Sequence, residues 1–99
     1  MEVKISVIMG VYQPISRQVL FQAVLSIVPQ TFQEWELIMV DDGTSGKGRR
    51  WIEQAALLDP RIRLIRLSVH QGLPAALNAA IAHSRGAYLA RMDADDDCD

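Results

Sequence analysis

Three polar clusters each follow an apolar run in this 99-residue chain: Tyr12-Gln13, Asp41-Asp42 and Asp93-Ala94-Asp95-Asp96. Carboxylates gathered in one place repel each other. A divalent cation, or hydrogen-bond donors from a nucleotide base, would relieve that cost. Hard cations such as Mg2+ and Mn2+ take oxygen ligands, and Mg2+ typically uses one or two carboxylates together with substrate phosphates. If the fold unites the clusters, the residue types point to a metal–diphosphate ligand rather than a bare anion site. Taken alone, Asp41-Asp42 is also compatible with a plain turn, and the terminal acids with a solvated tail.

The elements that must unite them are legible from periodicity. Residues 5–11 form a nearly continuous β-branched run, as a strand buried on both faces requires. Ser16 is placed to cap a helix in which Val19, Leu20, Ala23, Val24 and Ile27 recur at helical spacing, with Pro29 ending it near Val28. A second strand is expected over 35–40, then a polar turn over 41–46, then a helix over 47–58 stopped by Asp59-Pro60. In that helix Trp51, Ile52, Ala55 and Ala56 face inward; Trp35 and Trp51 read as packing residues.

A third strand covers 62–67. Arg61, Arg63 and Arg66 suit it to a sheet edge, where charge discourages association with other strands. Gln71-Gly72-Leu73-Pro74 opens a third helix with a Leu77, Ala80, Ile81 stripe, and Gly86 is placed as its C′ residue. A fourth strand covers 87–92. Alternating strands and helices with right-handed crossovers give an α/β fold: a three-layer, doubly wound, mainly parallel sheet in the order 3-2-1-4. All strand C-terminal ends then share one edge, where open α/β sheets bind ligands.

Composition bounds the function. Hydrophobic residues make up 49% and charged residues 22%, which excludes a disordered chain. Twelve acids face ten bases, and five of the acids lie in the last seven residues, so a polybasic nucleic-acid binder is not expected. One cysteine, Cys98, excludes an internal disulfide framework and a cysteine-based zinc site. Neither a membrane-spanning run nor a signal peptide is read, and the expected location is cytoplasmic, with membrane association of a full-length protein left open. The chain stops within an acidic cluster, which reads as a cut end.

Five blocks in order make the sequence recognisable: residues 7–12 (VIMGVY), 26–32 (SIVPQTF), 36–44 (ELIMVDDGT), 72–78 (GLPAALN) and 86–96 (GAYLARMDADD). Together they resemble the nucleotide-binding half of family 2 glycosyltransferases of the GT-A fold, over essentially all 99 residues. The resemblance implies that residues 1–99 are the N-terminal nucleotide-sugar-binding part of such a domain, truncated at the DxD motif and without the acceptor half. It implies transfer of a sugar from a nucleoside-diphosphate sugar, a UDP-sugar above all, to a hydroxyl of an acceptor glycan or lipid-linked sugar, with inversion. It also implies a role in cell-wall or polysaccharide biosynthesis. By the same resemblance Tyr12 lies against the base, Asp42 accepts a hydrogen bond from it, and Asp93 contacts ribose or donor. Asp95 ligates the Mn2+ or Mg2+ that bridges the donor diphosphate, and the catalytic base is expected downstream.

Four positions depart from the family pattern: Gly10 stands where proline or threonine is common, Gln13 and His70 where asparagine is usual, and Gly46 where aspartate often follows the turn. His70 reads as a loop histidine, and Arg85 and Arg91 as structural pairing partners of acids. Two other functions stand beside the leading one. One is a nucleotide-binding module without chemistry, and the other is an aspartate-dependent phosphotransferase. The second is disfavoured because the DxD follows the fourth strand rather than the first. An exposed apolar edge beyond the fourth strand would also favour a homodimer.

Overall fold

The computed structural model describes residues 3–29 and 32–93. Strands and helices alternate as β1 (Ile5–Val11), α1 (Arg17–Leu25), β2 (Trp35–Asp42), α2 (Lys47–Ala56), β3 (Ile62–Leu67), α3 (Leu73–His83) and β4 (Tyr88–Arg91). The strands form one sheet in the order β3-β2-β1-β4, with every pairing parallel. This is the expected three-layer α/β arrangement, and the arginine-bearing β3 is an edge strand as anticipated.

The two faces carry separate cores. On one, α1 and α2 contribute Leu20, Ala23, Val24, Ile52 and Ala55 against Met9, Leu37 and Met39. On the other, Ala76 and Ala80 of α3 pack on Ile8, Ile38 and Val40. Alternate residues of β1 and β2 thus supply both layers, which is why these strands read as unbroken apolar runs. Small residues on α3 let it approach closely: a Cβ on Gly10 would lie 2.8 Å from Leu73 Cδ1 and 3.3 Å from Ala76 Cβ. The absence of a side chain at position 10 therefore sets the distance between α3 and β1.

Local expectations hold in some places and fail in others. The Ser16 hydroxyl accepts from the Val19 N–H at 3.1 Å, capping α1 as read. The helix ends at Leu25, before Pro29 can act, with the Ser26 hydroxyl donating to the Ala23 carbonyl. Asp41 and Asp42 are not turn residues; they close β2, paired with Arg66 and Leu67 of β3. Ile81 is 43% exposed, and Ala76 and Ala80 hold the inward positions. Gly86 does not end α3, which stops at His83 with Ser84 as its cap. Gly86 instead lies against β1, where its N–H donates to the Ser6 hydroxyl and a Cβ would stand 2.7 Å from the Ser6 nitrogen. Among the described residues no helix is long and apolar enough to cross a membrane.

Candidate functional site

Parallel pairing brings the C-terminal ends of β1, β2 and β4 to one edge of the sheet, and the segments leaving these strands meet there. Adjacent acids at the end of β2 go to opposite faces, as strand alternation dictates. Asp41 turns toward α2: its carboxylate accepts from the Thr44 N–H at 2.8 Å and pairs with Arg66 at 3.3 Å, while Arg66 also reaches Glu53. Asp41 is thereby committed to structure.

Asp42 turns toward α3. It is 2% exposed and accepts from the Gln71 N–H at 2.8 Å and the Gly72 N–H at 2.9 Å. Its Oδ2 also lies 2.9 Å from His70 Nδ1. The two N–H groups it binds belong to the residues that lead into α3, so the carboxylate lies near the positive end of that helix. The turn that permits this needs glycine at position 43, where φ is +81° and a Cβ would fall 2.5 Å from the His70 nitrogen.

His70 then reaches the loop after β1. Its ring stacks on Tyr12 with centroids 3.7 Å apart and planes 21° from parallel. The next residue, Gln13, has φ +45°, a left-handed conformation costly for a residue with a Cβ, and its N–H donates to the Thr44 hydroxyl at 3.0 Å. The loop after β1 is thus tied to two others, to the segment after β2 through Gln13–Thr44 and to the segment after β3 through Tyr12–His70.

Beside Tyr12 lies an open cleft of about 440 Å³, lined among others by Gly10, Tyr12, Gln13, Leu73, Arg91 and Asp93. That volume falls in the range of small-molecule sites. Arg91 and Asp93 form a loose pair at 3.4 Å, both about half exposed. Of the residues singled out from sequence, Tyr12 and Asp93 share this cleft. Asp42 is linked to it through His70. Asp95 lies outside the described residues. Those described hold no cluster of three His, Cys, Asp or Glu side chains able to bind a metal. Arg85 and Arg91 pair with Glu36 and Asp93, as read.

His70 is a loop residue, as read; what the sequence did not show is its contact with both Asp42 and Tyr12. Its partners are 28 and 58 positions away in the chain, beyond any local pattern. The available signal was its place two residues before the glycine that opens α3, at the ligand-binding edge of the sheet, where the family pattern has another residue type.

With this geometry in view, residues 6–99 match the family described as Glycosyl transferase family 2. The chain belongs to that family. EpsE of Bacillus subtilis (strain 168), named as a glycosyltransferase, is 40% identical over 94 residues, covering 94% of this chain and 33% of EpsE. The family 2 chain spans about a third of the length of the curated relatives it matches. Solved structures that share the fold include the following two. TarS residues 1–349 of S. aureus in complex with UDP-GlcNAc superposes with a TM-score of 0.82 at 24% identity, over 96% of this chain and 27% of that one. The mannosyltransferase PcManGT of Pyrobaculum calidifontis, in complex with GDP-Man and Mn2+, gives 0.81 at 21% identity, over 96% and 28%.

Proposed function

We propose that the cleft beside Tyr12 receives the nucleotide of a nucleoside-diphosphate sugar, and that the full-length protein transfers the sugar to an acceptor hydroxyl with inversion. The observation that carries this reading is the meeting of Tyr12, Arg91 and Asp93 in one cleft at the strand ends of a family 2 chain. TarS and PcManGT hold donors with different bases on this fold, which supports the class of ligand. A UDP-sugar is the proposed donor and a glycan or lipid-linked sugar the proposed acceptor, in cell-wall or polysaccharide biosynthesis, at a cytoplasmic site.

In this reading Tyr12 lies against the base and excludes water from one side of it. Asp42 uses its remaining acceptor position for a base N–H: a carboxylate offers about four lone-pair sites, and three donors already occupy it. Asp93 takes ribose or donor hydroxyls at the cleft rim. The oxygen donors here suit Mn2+ or Mg2+, with Asp95 and the donor phosphates as the proposed ligands. Such a cation, when bound, supplies positive charge to the leaving diphosphate. Because the chain spans about a third of its relatives, the acceptor side and the base are proposed to come from the rest of the protein.

The test is turnover of nucleotide sugars by the full-length protein and its Asp95→Asn and Asp97→Asn variants, alongside their thermal stability. Asp95→Asn should cost about 10²–10³ in rate with the fold intact, and Asp97→Asn far less. A larger loss in Asp97→Asn at unchanged stability would place the motif in the wrong register.

A further inference from the structure

Resting on the donor-site reading, we infer that His70 is a positioning residue for Tyr12, holding the tyrosine ring as a fixed platform for the nucleobase. Tyr12 is 47% exposed in the loop after β1. An unsupported ring there would have its χ angles free and would lose that freedom only on binding. The imidazole removes it beforehand by stacking at 3.7 Å. A stacking partner covers one face of a ring, and Tyr12 also lines the cleft, so its other face is left for a ligand.

His70 is itself fixed from three sides. Its Nδ1 lies 2.9 Å from Asp42 Oδ2. The next two N–H groups along the chain donate to the same carboxylate. Gly43 lets its backbone sit where any other residue would collide. Rigidity therefore passes from buried β2 through Asp42 and His70 to a half-exposed ring. Asparagine at this position would keep a polar link to Asp42 but would offer Tyr12 no aromatic face. The histidine thus adds a stacking support to the base pocket, and its effect belongs to the base rather than to the diphosphate.

The experiment measures binding of UDP, GDP and inorganic pyrophosphate, each with Mn2+, to the full-length protein and to His70→Ala, His70→Asn, His70→Phe, Tyr12→Ala and the Tyr12→Ala/His70→Ala double variant. Melting temperatures are recorded for each. His70→Ala should weaken the nucleotides about three- to tenfold, the worth of one aromatic stack, and leave pyrophosphate unchanged. His70→Phe should restore nucleotide binding and His70→Asn should not. In the double variant the histidine change should add nothing to the tyrosine change. Restoration by asparagine but not phenylalanine overturns the inference, as does an equal loss for pyrophosphate. Nucleotide binding by the unmodified protein with no change in any His70 variant overturns this inference alone. Failure of the unmodified protein to bind either nucleotide overturns the donor-site reading and this inference with it.

Discussion

One strand, β2, carries a buried carboxylate at each end, and the two ends are built differently. Glu36, 1% exposed, accepts from the Ser6 hydroxyl at 2.6 Å, the Arg85 N–H at 2.7 Å, and the guanidiniums of Arg63 and Arg85 at 3.1 Å each. Arg63 continues to the His83 carbonyl at the end of α3. This set closes on itself. Asp42 at the other end receives two backbone N–H groups and one imidazole, and that imidazole leads out to Tyr12 and the cleft. The same functional group locks the sheet at one end and transmits order to a ligand surface at the other. What differs is the third partner: guanidiniums that end in structure, against an aromatic ring that ends in solvent.

The largest effect should come from breaking the locked end. Glu36→Ala leaves the Ser6 hydroxyl and the Arg85 N–H without their acceptor and removes the carboxylate partner of Arg63 and Arg85. It should cost about 3 kcal/mol of stability, since two donors lose the buried acceptor that satisfied them, at about 1–3 kcal/mol each. Urea denaturation of the full-length protein measures it, and nucleotide affinity of the folded fraction should be unchanged. A loss below the range of ordinary surface substitutions would show that the network contributes little.

Gly43→Ala should come next, at about 2 kcal/mol, because the left-handed backbone disfavours a Cβ and the added atom meets the His70 backbone. Unlike Glu36→Ala, it should also weaken nucleotide binding, since displacing residues 69–70 moves His70 from Tyr12. Equal binding by both variants would erase the contrast between the two ends.

A smaller effect depends on pH. Burial alone would raise the Glu36 carboxyl; the Ser6 hydroxyl, the Arg85 N–H and the two guanidiniums outweigh it and hold the group below its ordinary value of 4.5. A depressed folded value means that stability is fully present above the unfolded value and is lost as pH falls through the folded one. Asp59, lowered by its hydrogen bond from Arg61, acts in the same sense. The stability difference between the unmodified protein and Glu36→Gln isolates Glu36. That difference should be constant near neutral pH and shrink on acidification below 4.5. A difference that grows toward acid would reverse the assignment.

The smallest effect should be a gain. Asparagine tolerates left-handed backbone better than glutamine, so Gln13→Asn should stabilise by about 0.5 kcal/mol. Denaturation midpoints would register it, and a loss instead would mean that the Gln13 side chain outweighs its backbone strain.

These two ends were unequally legible in the sequence. Strand positions, order and the edge character of β3 came from apolar runs and the crossover rule, because buried parallel strands leave little choice of residue. Tyr12, Asp42 and Asp93 were singled out because they lie at strand ends, where open α/β sheets bind ligands; Tyr12 and Asp93 line one cleft and Asp42 is linked to it through His70. Glu36 passed as one polar residue in an apolar run, although a lone acid at a position buried on both faces signals paired charge. His70 passed because no period or spacing ties a loop residue to a strand end 28 positions earlier. The extension of β2 through Asp42 was missed for a related reason: turn propensity favoured a loop, and pairing with β3 overrode it. The acids at 94–99 fall outside the described residues, so the DxD reading rests on the sequence pattern alone.

The Glu36 contacts also have a meaning in time. Its partners stand 30, 27 and 49 residues away. The set is complete only when β1, β3 and the segment after α3 have all arrived beside β2. Interactions of such long span are late to form, and those absent from the folding transition state govern escape from the native state rather than entry to it. The carboxylate therefore acts as a latch on an already assembled sheet. Glu36→Gln should therefore quicken unfolding more than it slows folding, a split that the two arms of a denaturant chevron would show.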